Sequence, residues 1–126
     1  MKTRYRISAL CFDKQGICIS QGENAYTKSH PIQKYFAEKV GRPHNIYLHA
    51  EIQAILRAKD RQIEYINIYR YNTIGHAELA KPCPICIEAM IAFGIKTVNY
   101  TTKNGWVYGK TPQELKDEYS KSKQND

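Results

Sequence analysis

Two short stretches carry side chains able to act together on one metal ion: His49-Ala50-Glu51 and Pro82-Cys83-Pro84-Ile85-Cys86. In a reducing compartment a tight C-x-x-C points to metal or redox work rather than to a disulfide. If Cys83 and Cys86 occupy a first helical turn, their sulfurs lie on one side, about 2.3 Å from a shared zinc, with the His49 imidazole as a third ligand near 2.0 Å. Three ligands leave one tetrahedral vertex open to water, whose pKa zinc lowers from about 15.7 toward 7. Exposed N–H groups and the positive dipole end of a helix start favour the thiolate at both cysteines. Glu51 is then the group to take a proton from that water and return it to a departing amine. On an ideal helix residues 49 and 51 diverge by about 200°. Both reach one point only if His49 stands at the very start, before the backbone settles into its regular track.

The elements that must position these residues are read from pattern and punctuation. Residues 5–12 and 17–20 read as two strands around Asp13-Lys14-Gln15-Gly16, a polar turn. Ile32, Tyr35, Phe36 and Val40 recur at helical spacing over 31–40, with Pro31 in the first turn and Gly41 past the end. A second helix covers 49–58 with Ile52, Ile55 and Leu56 as its stripe. Residues 65–71 and 95–101 are strands. Between them the Cys pair opens a third helix, 83–93, apolar almost all round and therefore expected between other elements. Thr111-Pro112-Gln113-Glu114 starts a last helix containing Leu115 and Tyr119. This β-β-α-α-β-α-β-α order implies a sheet with helices packed on it, one domain over 1–120, and a frayed tail over 121–126.

Composition bounds the class. The chain has 126 residues, 42% of them apolar, enough for one core. No window approaches the roughly 18 apolar residues of a membrane span, and the N-terminal stretch is charged and aromatic rather than a signal core, so a cytoplasmic protein without membrane partners is expected. Nineteen Lys and Arg against twelve Asp and Glu give +7, which favours phosphate-bearing partners, nucleic acid among them, without naming one.

His-Ala-Glu followed by Pro-Cys-x-x-Cys resembles the zinc-binding signature of the cytidine and deoxycytidylate deaminase superfamily, a pattern generally associated with base deaminases. The resemblance implies an α/β fold, a three-layer α/β/α sandwich with a mixed central sheet of about five strands. It implies a Zn2+ cofactor on His49, Cys83 and Cys86, Glu51 as the catalytic acid and base, and attack on C4 of cytosine or C6 of adenine with loss of ammonia. The expected substrate is a small-molecule cytosine nucleoside or nucleotide of the dCMP or cytidine type, handled in nucleotide metabolism. Ala50 and Pro82 are carried over as pocket residues from the two motifs. Asn24 follows from Gly22-Glu23-Asn24, which resembles a Gly-x-Asn segment whose Asn contacts the nucleoside. Self-association is expected from the same likeness.

Other residues leave alternatives open. Asn24 is also a residue that shapes turns through its own side chain. A second His-Ala-Glu, residues 76–78, lies seven residues before Cys83 in a loop with weak helical pattern, so His49 is preferred as the ligand. His76 remains a candidate pocket wall or substrate contact, a surface residue, or a fourth ligand that would make the zinc structural. Lys81 stands where many relatives carry Glu, which leaves substrate identity open. Cys11 and Cys18 are expected as buried free thiols, His30 and His44 have no spacing rule tying them to the metal, and Tyr65, Tyr69 and Tyr71 read as one packed face. Two rival functions stand beside the leading one: a deaminase acting on cytosine or adenine within RNA or DNA, supported by the basic charge, and a non-catalytic zinc domain that binds nucleic acid or a protein partner.

Overall fold

The computed structural model describes residues 6–124. The chain begins with an antiparallel pair, β1 (Arg6–Phe12) and β2 (Cys18–Glu23). Asp13 organises the turn between them: its Oδ1 accepts from the amides of Gln15 and Ile17, while Gly16 takes the left-handed φ of 81°. Two helices follow, α1 (Pro31–Lys39) and α2 (Ala50–Ala58), then β3 (Tyr65–Tyr71). The crossover helix α3 (Pro84–Ala92) returns the chain to β4 (Thr97–Thr102), parallel to β3. A hairpin adds β5 (Gly105–Lys110), and α4 (Pro112–Gln124) ends the described chain.

The result is an α/β architecture, one mixed five-stranded sheet in the order β2-β1-β3-β4-β5 with four helices. Residues alternate across the strands. Ala9, Cys11, Ile66, Ile68, Val98 and Tyr100 belong to the buried core, in one cluster with Ile52 and Ile55 of α2 and with Ile87 and Met90 of α3. Helix α3 buries Ile85, Cys86, Ile87, Ala89 and Met90 and touches α1, α2 and α4, but Ile91 in its last turn is 37% exposed, so the enclosure its all-round apolar sequence suggests is incomplete. Helix α2 lies directly on β2 at Gly22. A Cβ there would strike the carbonyl of Ala50 and come 2.6 Å from the amide nitrogen of Ala54. Helix α4 starts with a reciprocal capping box, Thr111 Oγ1 accepting from the Glu114 amide at 3.1 Å and Glu114 Oε1 from the Thr111 amide at 3.0 Å.

Several expectations are revised. Strand β2 runs three residues past Ser20, through Gly22, because the missing side chain lets α2 approach rather than ending the strand. The pattern reading placed no strand at β5, although Asn104-Gly105 ahead of Trp106-Val107-Tyr108 is a hairpin signal. The tail expected from Lys121 continues α4 to Gln124, and Tyr5 and residues 125–126 lie outside the described residues. Cys11 is buried, its thiol pushed up to about 11 by that burial, whereas Cys18 is exposed; both are free. Tyr65, Tyr69 and Tyr71 are half-buried, covered by neighbouring rings: Phe12 stacks on Tyr65 at 4.8 Å and Trp106 meets Tyr69 edge-on at 4.8 Å. No described helix is long and apolar enough to cross a membrane.

Candidate metal centre and its cavity

The two motifs meet because each begins a helix. His49 is the N-cap of α2, with extended backbone angles (φ −77°, ψ 153°), and Cys83 is the N-cap of α3 (φ −75°, ψ 166°). Pro84 supplies the first residue of α3, where a missing N–H costs nothing. His49 therefore sits off the helical track that Glu51 follows, and the 200° divergence of an ideal helix does not apply. Gln33, buried in α1, fixes this entry. Its Oε1 accepts from the His49 amide at 3.1 Å and its Nε2 donates to the carbonyl of Asn45 at 3.1 Å. On the other side, the Tyr119 hydroxyl of α4 donates to the carbonyl of Pro82 at 3.0 Å.

His49 Nδ1 lies 3.3 Å from Cys86 Sγ and 3.5 Å from Cys83 Sγ, and the three donor atoms fall within 4.8 Å of one another. Zinc bonded at about 2.3 Å to sulfur and 2.0 Å to nitrogen with tetrahedral angles separates such donors by about 3.5 Å. The cluster thus fits Zn2+ in donor type and in spacing. Cys86 is buried and Cys83 partly so, which keeps competing ligands away. Glu51, on the first turn of α2, is 7% exposed.

The charges of these groups are strongly coupled. Cys83 is brought down to about 4, first by the hydrogen bond from Cys86 and then by that of His49, against the opposing effect of burial. Cys86 is driven well above the usual thiol range by burial and by the proton it shares with Cys83. Burial works against the imidazolium of His49, but the hydrogen bond and charge of Cys83, helped by Glu51, raise it overall. Burial, then the nearby Cys83, raises Glu51. A carboxyl held above its ordinary range beside a polar cluster suits a group that must both accept and donate a proton.

The cluster opens into a cavity of about 380 Å³. Of the residues expected to touch substrate, Asn24 and Ala50 line it. Asn24 also serves the sheet, its Oδ1 accepting from the Ile7 amide at 3.1 Å. Pro82 is fully buried behind Cys83. His76 lies elsewhere, on an exposed loop folded by Asn72 Oδ1, in a separate depression with Tyr71 and Lys103. Lys81 lines the cavity, but its Nζ is engaged by Glu118 Oε1 at 3.0 Å and lies 4.7 Å from the Tyr119 ring centre. His44 lines it too, whereas His30 caps α1 through Nδ1. Sequence reasoning passed over Tyr47, Leu79 and Arg70 as lining residues. For Arg70 a signal existed: it takes the phase of Ile66 and Ile68, the inward positions of β3, where a cation is out of place unless it faces a cavity.

The family model for the cytidine and deoxycytidylate deaminase zinc-binding region matches residues 1–102. Among solved structures, the chain is similar to the crystal structure of cytidine deaminase from Mycobacterium leprae, with 16% sequence identity and a TM-score of 0.48 over 83% of this chain and 75% of that chain. No curated protein sequence matches.

Proposed function

The chain belongs to the cytidine and deoxycytidylate deaminase zinc-binding family, and from that premise we propose that it is a hydrolase converting the cytosine of a nucleoside or nucleotide to uracil with release of ammonia. The observation that carries the proposal is the meeting of His49, Cys83 and Cys86 beside the buried carboxyl of Glu51, at the floor of a cavity sized for a base. His49 Nδ1, Cys83 Sγ and Cys86 Sγ would hold the zinc, which when bound supplies Lewis-acid activation of a water. In the reaction a C–O bond forms at C4 and the C4–N bond breaks. Glu51 passes one proton of the attacking water to N3 of the base and the second to the departing amine, so the two protons end on N3–H of the uracil and in ammonia and the carboxyl ends as it began. Ala50, small and buried at the helix start, leaves the base room to approach; Asn24 stands at the rim to orient the sugar. Placement of His76 outside this cavity favours a surface role for it over a metal role.

The test is a panel of cytidine, dCMP, cytosine, adenosine and AMP, with ammonia release and the change in base absorbance followed on zinc-loaded protein. Turnover of a cytosine member is expected. Turnover confined to adenine members would move the proposal to the other amino-heterocycle, and turnover of none would remove it.

A further inference from the structure

Residues that alternate with Ala9, Ile66, Ile68 and Val98 point away from α2 and α3, and they give the sheet a second face. Its rings touch one another. Phe12 stacks on Tyr65 at 4.8 Å. Tyr71, Tyr69, Trp106 and Tyr108 form a belt from β3 to β5, successive ring centres lying 6.4, 4.8 and 5.7 Å apart. Between the two groups lie Leu10 and its cross-strand partner Asn67, whose Oδ1 accepts from Asn99 Nδ2 at 2.8 Å. Leu10, Tyr65, Tyr69 and Trp106 are half-buried, and Tyr108 is 70% exposed. The described helices gather on the other side: α2 rests on β2 at Gly22, the partner of Ala9, while α1 and α4 pack on α3.

We propose that this open face docks a second copy of the chain, two sheets packing face to face about a two-fold axis. Strands β3 and β4 are parallel, and parallel strands occur almost only where both of their sides are covered. Aromatic rings gathered with few charges are the composition of an interface core. The charged members of the face, Arg6 and Glu23, are opposite in sign and stand on adjacent strands at one corner. On the helical side this chain of net charge +7 presents Lys34 and Lys39 of α1, Arg57 of α2 and Lys116 of α4. Two copies meeting through helices bring those cations together; two meeting through open sheets do not. A nucleic-acid strand, which needs cations along its phosphates, finds only Arg6 among the described residues of the face. The area suffices as well. The five strands, spaced by about 4.8 Å and rising about 3.3 Å per residue over roughly six residues, span about 24 by 20 Å. Two such faces remove on the order of 1,000 Å² from water, the lower limit of a specific interface, so the dimer is expected to exchange, with a Kd on the order of micromolar. The metal cavity is lined by Ile7, Ile68 and Arg70, which have the opposite strand phase, so this inference stands apart from the deaminase reading.

Trp106 is the single tryptophan of the chain and lies within the belt, so its fluorescence reports on the face itself. The test is sedimentation velocity of the zinc-loaded full chain from sub-micromolar to high micromolar concentration, with Trp106 emission and acrylamide quenching read over the same series. Wild type is compared with Leu10→Lys, Tyr108→Lys and Tyr35→Lys. The wild type is expected to pass from monomer to dimer while its emission moves to shorter wavelength and its quenching falls. Leu10→Lys and Tyr108→Lys each bury an unpaired ammonium in the dimer and should raise Kd roughly 100-fold. Tyr35, 58% exposed on α1, lies on the helical side, so Tyr35→Lys should leave Kd unchanged. Far-UV circular dichroism and zinc content check that each variant is folded; the exposure of Tyr108 makes its substitution the one the monomer tolerates best. A chain that stays monomeric throughout would overturn the proposal. So would a dimer whose formation leaves Trp106 unchanged, or one that yields to Tyr35→Lys and not to the two substitutions on the sheet.

Discussion

At the scale of single residues, the clustering of His49, Cys83 and Cys86 was legible because its chemistry is local. Two sulfurs three positions apart at a helix start and one imidazole at another can be recognised without knowing the fold. Cys86→Ala is expected to abolish stoichiometric zinc after dialysis, read by atomic absorption; zinc retained at the wild-type level would point to other ligands. What could not be read was the buried amide that aims the imidazole. Gln33 is an unremarkable polar residue in a helix until the fold brings its two ends to His49 and Asn45. Gln33→Leu fits the space but leaves a part-buried N–H and a part-buried carbonyl without their partner, at a cost of about 1 kcal/mol. The check is the urea midpoint together with zinc affinity; a variant as stable and as tight for zinc as the wild type would show that Gln33 does not position the site. Tyr47 was missed for the same reason, since a cavity wall contributed by the loop before α2 has no signature in linear spacing, whereas Arg70 carried one in its strand phase.

At the scale of elements, both cysteine and histidine motifs depend on where two helices begin, and each helix is pinned by a contact distant in sequence. For α2 the contact is bare backbone at Gly22. Gly22→Ala is expected to destabilise by about 1–3 kcal/mol, because the added methyl meets backbone rather than a side chain that can swing aside. Denaturation midpoints check this, and an unchanged midpoint would mean that α2 rides up without loss. For α3 the contact is α4, tied by Lys116 to Glu88 at 2.8 Å and by Glu118 to Lys81 and Lys110. The hydrogen bond of Lys116 holds Glu88 below its ordinary value of 4.5, and that of Lys81, then Lys110, does the same for Glu118. A carboxyl depressed in the folded state stabilises above its unfolded pKa and loses that contribution as pH falls through the folded one. Stability should therefore fall below pH 4.5, and less steeply in a Glu88→Gln, Glu118→Gln double variant; parallel curves would contradict the assignment. Helix starts, caps and the alternation of β3 were readable from sequence. The end of β2 was not, because a glycine that invites a helix and a glycine that ends a strand look alike in a string, while β5 was overlooked although Asn104-Gly105 signals its hairpin.

At the scale of the whole molecule, the +7 charge and the crossover through α3 have separate consequences. The crossover delivers the Cys motif beside the start of α2, and so makes the metal centre a product of topology as much as of motif. Because the three donors come from two helices, zinc should bind the folded chain far better than the unfolded one, and chelation should lower the melting temperature reversibly. The α/β sheet with its four helices was foreseen from element order, while the walls of the cavity at the cluster emerge from the folded surface alone. The central claim is that the metal serves chemistry through Glu51, and the most direct measurement is zinc content and ammonia release made together on Glu51→Gln. The expected result is a full complement of zinc with turnover lower by roughly 10²- to 10⁴-fold. Turnover that survives the substitution, or zinc and fold lost along with it, would contradict the account.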